Sequence, residues 1–298
     1  MICLLRASLA LVAAMAAPVG AQSLDPAVRA MVEAAARSGD PARIEAVVAV
    51  AKETNPRATA EIDAIVKAIA DDRAARREAE IRAAGPFDLW KGRIDAGGAL
   101  QTGNTDTRNL SLAVGAERDG LKWRHRAGFS ADVQAVDGRT DQSRLYGTWQ
   151  SDWRLDDRLY ALGRFEYERN LDAGIRRRFV ETVGIGWRAI RPAPFTWDLE
   201  AGPALRQTKF EDGRNENALA FRAASRFAWD VARATRLTND TFLFVEEASS
   251  LQNTLALSPR LFGALSAGVS FTVLWEEEPA PGLASTSTIT RLTLGYAF

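Results

Sequence analysis

From residue 90 onward hydrophobic and polar positions alternate with a period of two, and the alternation runs to the last residue. Over the final twelve residues Thr288, Thr290, Leu292, Leu294, Tyr296 and Phe298 share one face of a strand, and Ile289, Arg291, Thr293, Gly295 and Ala297 share the other. Successive side chains of a strand point to opposite faces, so this segment has one largely apolar face and one small, polar or charged face. Ending on an aromatic suits a strand that closes a barrel at a membrane interface. The alternation predicts twelve strands, at 90–102, 106–118, 121–135, 140–155, 158–170, 175–190, 195–209, 216–231, 235–247, 250–260, 264–277 and 286–298. Most exceed the ~9–11 residues with which a tilted strand crosses a bilayer. Tight connections at 119–120, 156–157, 191–194, 232–234 and 261–263 alternate with longer, more polar ones at 136–139, 171–174, 210–215 and 277–285. The short turn at 103–105 breaks that trend. Long outer loops and short periplasmic turns are the outer-membrane arrangement.

Before residue 87 the hydrophobic period lengthens to that of a helix. Asp25-Pro26, Asp40-Pro41 and Asn55-Pro56 recur fifteen residues apart, each an N-cap residue followed by proline at the first helical position. Apolar stripes follow them: Val28, Met31, Val32 and Ala35, then Ile44, Val47, Val48 and Ala51, then Ile62, Ile65, Val66 and Ile69. Three helices are expected over 22–84, the third continuing into a charged, solvated stretch at 71–82. They are expected to serve as a periplasmic spacer, with a plug or a periplasmic binding partner as the alternatives. Gly85-Pro86 marks the boundary of this segment. Residues 1–21 read as a signal peptide, with Arg6 at the positive start, an apolar stretch over 9–17 and Val19-Gly20-Ala21 at the cleavage site. Cys3, the single cysteine of the chain, falls inside it, so the mature chain has no disulfide and no thiolate chemistry.

Composition narrows the class. Of 298 residues, 38 are Lys or Arg and 38 Asp or Glu, a balance that gives no electrostatic case for nucleic acid. Mean hydropathy is −0.17, and past the N-terminus no apolar run reaches the ~18 residues of a spanning helix, which excludes a helical membrane protein. A transmembrane barrel stays allowed, because alternating strands average to modest hydropathy.

The tryptophans sharpen the picture. Trp90, Trp123, Trp153, Trp187, Trp197 and Trp229 lie beside tight turns or strand starts on the apolar face, and Tyr296 and Phe298 share their level. Tyr167, Phe179, Phe221 and Trp275 fall near the opposite strand ends. Indole prefers the headgroup region, so two aromatic belts are expected. The other face carries Arg124, Arg126, Arg144, Asp152, Arg154, Arg164, Glu166, Glu168, Asp198, Glu200, Arg206, Arg222, Arg226, Asp230 and Arg291. At mid-depth each Arg or Lys would cost roughly 2–4 kcal/mol in lipid, so these residues must line the interior. Glu181 points outward by parity, against this pattern.

The string Gly97-Gly98-Ala99-Leu100-Gln101-Thr102-Gly103-Asn104-Thr105-Asp106-Thr107 after Trp90-Lys91-Gly92, and the ending from Asn253-Thr254 through Leu274-Trp275 to Leu-Gly-Tyr-Ala-Phe, resemble a family of salt-induced outer-membrane proteins, the domain of unknown function 481. The resemblance covers about 87–298. It implies an outer-membrane β-barrel and brings no established activity and no functional residues. The helical front piece departs from the family's minimal pattern.

Candidate chemistry is sparse. His125, the single histidine, lies between Arg124 and Arg126, faces lipid by parity, and has no serine close by in sequence to activate. One histidine and no mature cysteine make no metal cluster. Asp212-Gly213 and 276–278 read as solvated loops rather than calcium sites, and Gly97-Gly98 sits within a strand, not in a phosphate loop. The expectation is an all-β, twelve-stranded antiparallel transmembrane barrel, monomeric and without cofactor. It is preceded by a signal peptide and a short helical segment, and its C-terminal strand engages the barrel assembly machinery. Twelve strands allow a narrow polar passage, with Arg144, Arg164, Glu166, Asp198, Glu200, Arg206, Arg222, Arg226 and Arg291 lining it. The expected function is a small-solute or ion channel of a Gram-negative outer membrane, linked to salt or osmotic response. The alternative is a non-conducting barrel whose helices dock an envelope partner.

Overall fold

A computed structural model of the chain describes residues 24–102, 107–136, 139–191, 194–232, 234–279 and 282–298. The expected signal peptide at 1–21, with Cys3, and the turn at 103–105 lie outside the described residues. The chain forms two units that divide between Ala83 and Ala84.

The first unit is three helices, α1 (Pro26–Ser38), α2 (Pro41–Thr54) and α3 (Thr59–Ala83). Asp25 caps α1 by accepting from the Ala27 N–H at 2.8 Å, and Asp40 caps α2 by accepting from Ala42 at 3.0 Å. Gly39 closes α1 in the left-handed conformation, at φ 70°. The third unit of the repeat departs from expectation. Asn55 donates from its amide nitrogen to the Ala51 carbonyl at 3.1 Å, so it finishes α2 instead of capping α3. Pro56 then opens a single 3₁₀ turn, and α3 begins at Thr59. The three stripes meet in a core of their own, in which Val32, Ala51, Ala58 and Ile62 are buried with Leu24. No helix among the described residues is long and apolar enough to cross a membrane.

Glu61 ties this unit to its own start. Its carboxylate accepts from the Leu24 N–H at 2.9 Å and pairs with Arg29. These partners, the backbone bond first, hold its pKa below the ordinary 4.5. A depressed carboxylate adds stability above its unfolded pKa and loses it as pH falls through the folded value. Helicity of the full chain, followed by circular dichroism from pH 6 downward, is therefore expected to fall below about pH 4.5. Glu61→Gln is expected to remove that part of the pH dependence.

The second unit is the barrel. Its strands are β1 (Trp90–Thr102), β2 (Thr107–Asp119), β3 (Trp123–Val136), β4 (Arg139–Arg154), β5 (Leu159–Asn170) and β6 (Ile175–Ile190). They continue as β7 (Phe195–Phe210), β8 (Asn215–Ala232), β9 (Thr235–Val245), β10 (Ser250–Phe262), β11 (Leu265–Glu276) and β12 (Thr286–Ala297). Each pairs antiparallel with its sequence neighbours, and β1 closes on β12 from Arg93↔Ala297 to Thr102↔Thr288. Phe298 extends the seam by exchanging two 2.9 Å backbone bonds with Gly92. Closure leaves no unpaired edge, which an isolated sheet of this length would carry.

The expected alternation sets the inside from the outside. Ile94, Leu110, Leu112, Phe129, Val183, Ile185, Leu205, Leu219, Leu292 and Leu294 are exposed on the outer wall. Arg222, Gln150 and Asp152 are among the largest fully buried side chains of the chain. A water-soluble protein has the opposite arrangement, so this is a barrel of the outer-membrane kind. Polar groups on the outer wall bond among themselves: Asn253 donates to Thr241 at 2.7 Å and to Asn239 at 3.3 Å. We call the end that carries Trp90 and Phe298 the terminal rim, and the other the far rim.

Candidate functional site

The candidate site is the lumen. All nine candidate lining residues lie on the inward parity, and eight of them join two connected networks. The middle network centres on Glu200 of β7, which is 3% exposed. Its carboxylate accepts from Arg126 at 3.0 Å, Arg226 at 2.6 Å, Arg222 at 3.2 Å, Gln150 at 2.8 Å and Tyr160 at 3.0 Å. Arg164 adjoins it, paired with Glu166 at 2.5 Å and bonded to Gln150 at 3.1 Å. Toward the terminal rim, Arg124 pairs with Asp152 at 2.6 Å and with Asp198 at 3.6 Å.

The second network lies toward the far rim. Arg144 and Arg178 share Glu168, at 3.1 and 3.4 Å. Arg178 also reaches Glu276 of β11 at 3.2 Å, five strands away around a ring of twelve. Arg206 pairs with Glu246 and donates to Ser250 at 3.1 Å. These groups surround a cavity of about 90 Å³, lined also by Phe244, Pro279 and Leu283, with room for a few waters. A third bridge stands apart: Arg291 of β12 binds Asp132 of β3 through bonds of 2.5 and 3.2 Å.

Aromatic rings inside the barrel, which the two expected outer belts do not include, share the work of holding the cations. The guanidinium groups of Arg164, Arg222 and Arg226 stand 5.7, 5.2 and 5.6 Å from the Phe242 ring. Arg206 lies 5.5 Å from Phe244, and Arg124 and Arg188 lie 5.3 and 5.4 Å from Tyr160. Such contacts strengthen once water is removed. They explain how Arg222 is accommodated although its Nε and Nη2 have no hydrogen-bond partner among the described residues. Gly186 faces Tyr160 across the β5–β6 pair, and a Cβ there would run into the phenol ring. The missing signal was parity: Phe242 and Phe244 alternate in step with Asp240, Tyr146 with Arg144, and Tyr160 with Arg164.

The wall from β10 round to β3 differs. Its inward positions include Gly97, Ala113, Gly115, Ser130, Gly268 and Ser270. Near the terminal rim, Gly115 and Glu117 are exposed and Gly97, Ala113, Ser130, Gly268 and Thr293 are half-buried. Nearer the far rim, Ala99, Ser111, Asp132, Thr272 and Ile289 are buried. Solvent thus reaches the lumen from the terminal rim up to the level of the Arg291–Asp132 bridge.

Of the aromatic girdle, Trp123, Trp153, Trp187, Trp197, Tyr296 and Phe298 are exposed on the outer wall, and Trp90 and Trp229 are half-buried. Trp123 stacks on Trp153 at 5.7 Å, and Trp229 on Phe195 at 5.6 Å. His125 is outward as expected, but it has a partner that sequence distance hid. Ser151 of β4, paired to it across the strands, lies 2.9 Å from Nδ1, and the Ser151 hydroxyl accepts from the Trp149 indole at 3.0 Å. Among the described residues no carboxylate bonds to the ring to orient it as the third member of a triad would. Trp123 and Trp149 flank the ring at 6.1 and 5.7 Å, which makes an interfacial cluster. Among the described residues no three His, Cys, Asp or Glu side chains stand together for a metal ion. Asp212 instead binds Arg214 at 2.8 Å, and Glu276 binds Arg178.

Glu181 stands exposed on the outer wall between Phe165 and Leu205, one row inside Phe179. A carboxylate at that depth opposes insertion, by less than the 2–4 kcal/mol of Arg or Lys. Glu181→Leu is expected to stabilise the barrel by roughly 1 kcal/mol in bilayer unfolding titrations.

Among solved structures the chain is similar to the NanC porin, with 10% identity, TM-score 0.48, and 68% of this chain and 98% of that one covered. It is also similar to the translocator domain of the autotransporter NalP from Neisseria meningitidis, with 12% identity, TM-score 0.42, and 78% and 97% covered. In sequence it is 25% identical over 238 residues to the protein described as "Uncharacterized protein YdiY" of Escherichia coli (strain K12), covering 78% of this chain and 88% of that one. The family model described as "Protein of unknown function, DUF481" matches residues 94–298, nearly the whole barrel, and the chain belongs to that family.

Proposed function

We propose that this protein sits in the outer membrane of a Gram-negative envelope with its terminal rim and helical unit in the periplasm, and that its resting lumen is shut. The observation that carries the reading is the set of ion pairs spanning the lumen, above all Arg178–Glu276, Arg126–Glu200 and Arg291–Asp132. Buried pairs of this kind are little weakened by salt. The barrel then acts through its rims: the helical unit docks an envelope partner, and β12 engages the assembly machinery. Planar-bilayer recording of the purified chain tests this. Steady ion conductance in the wild type overturns it.

A second reading is favoured by the small-residue wall from β10 to β3. Here the barrel is a narrow small-solute or ion channel whose passage runs along that wall and opens when the Arg291–Asp132 bridge parts. Its link to salt or osmotic stress rests on the family resemblance. Protein abundance in the native cells after a salt upshift tests the link, and an unchanged level removes it.

A further inference from the structure

On β5, β6 and β7 one row of outward residues runs Tyr167↔Phe179↔Gln207. Tyr167 and Phe179 touch, with ring centroids 5.3 Å apart. The next row toward the far rim is cationic. Arg169 follows Tyr167 on the outer face of β5, and Arg177 pairs with Lys209 across β6 and β7. A bulge adds a fourth charge. Glu168↔Arg178 and Asn170↔Ile175 leave one residue on β5 opposite two on β6. Ile175 and Arg178 are both buried, so Arg176 and Arg177 between them are both exposed. Bulges re-aim side chains in this way.

None of the four makes an ion pair among the described residues. The nearby carboxylates are engaged elsewhere: Glu168 with Arg144 and Arg178 in the lumen, and Asp212 and Glu216 with Arg214 at 2.8 and 3.0 Å. Glu211, in the β7–β8 turn, is exposed. Below the aromatic pair the outer wall has a shallow groove lined by Gly163, Phe165, Val183, Pro203 and Leu219, and by Glu181 as well.

From these features we infer that the outer face of β5–β7 binds a phosphorylated glycolipid of the outer leaflet, of the lipopolysaccharide type. The inference rests on the outer-membrane placement proposed above. Aromatic side chains mark the headgroup level, and cations one row farther out meet the phosphates. Neighbouring strands lie about 4.8 Å apart, so three of them gather the charges within about 10 Å, a span suited to one headgroup with several phosphates. Arginine binds phosphate bidentately. The groove below takes acyl chains.

The test uses the full chain in detergent, titrated separately with bisphosphorylated lipid A, phosphatidylglycerol and inorganic phosphate, with bound species read by native mass spectrometry. Lipid A is expected to bind at least about tenfold more tightly than phosphatidylglycerol. That preference is expected to be lost in the R169Q/R176Q/R177Q/K209Q variant and kept in Arg236→Gln, which removes an exposed cation near the terminal rim. Heat-dependent gel mobility checks that each variant is folded, and R176Q/R177Q, expected to lose part of the preference, serves if the fourfold variant is not. Equal binding of lipid A by wild type and variant overturns the inference, as does a match by phosphatidylglycerol or by phosphate alone. Absence of the chain from the outer-membrane fraction of a density gradient instead overturns the placement on which it rests.

Discussion

Glu200→Ala is expected to destabilise the barrel by about 3–5 kcal/mol, the range for removing one partner of a buried ion pair. The reason is the number of groups that depend on one carboxylate. Arg126, Arg222 and Arg226 lose their shared counter-charge, and Gln150 and Tyr160 lose an acceptor. Arg222 is 1% exposed and has no water to turn to. Phe242 shelters its guanidinium but does not neutralise it. Urea unfolding followed by tryptophan fluorescence, with heat-dependent gel mobility as a second readout, measures the loss. Two comparisons separate charge from packing. Arg236→Gln breaks an exposed pair with Asp230 and is expected to cost about 0–1 kcal/mol. Glu200→Ala combined with Arg222→Leu removes both ends of one bond and is expected to recover part of the loss, since a matched apolar pair is often tolerated. A Glu200→Ala chain as stable as the wild type would show that the network is loose and hydrated, and the proposal of a shut lumen would fall with it.

Much of the barrel was legible because alternation needs no knowledge of neighbours. Parity alone put Arg144, Glu200 and Arg291 on one face and Ile94 and Leu205 on the other, and the twelve strands are observed within a few residues of the expected spans. Pairing across the lumen was not legible. Which strand faces which depends on tilt and shear, and neither is written in a local pattern, so Arg178–Glu276 and Arg291–Asp132 had no signature. The bulge at Arg176-Arg177 was hidden likewise, because a run of three arginines reads as one alternating strand until its partners are counted. Asn55 shows a different limit. An N-cap followed by proline is a sound local signal, but the preceding helix ended on the same residue and took its side chain. His125 had no serine near it in sequence, and only the β3–β4 register brought Ser151 to its ring.

Removing both ends of the third bridge, as D132A/R291A, is expected to produce discrete ion-conductance steps in planar bilayers where the wild type shows none. Solvent already reaches the lumen from the terminal rim along Gly97, Ala113, Gly115 and Ser130, and burial begins at Ala99, Ser111 and Asp132. Arg291 crosses from β12 to β3 at that level, with β1 and β2 between them contributing only small or short side chains nearby. Alanine at both positions withdraws a guanidinium and a carboxylate together, so charge balance is kept and the fold is spared most of the cost of a lone buried ion. The middle network around Glu200 stays in place, which confines any new passage to the small-residue wall. Steps in the double variant but not in the wild type would make this bridge the barrier that divides the shut barrel from the channel. Silence in both, with the variant folded, would place the barrier in the Arg178–Glu276 network and reject a passage along β10 to β3.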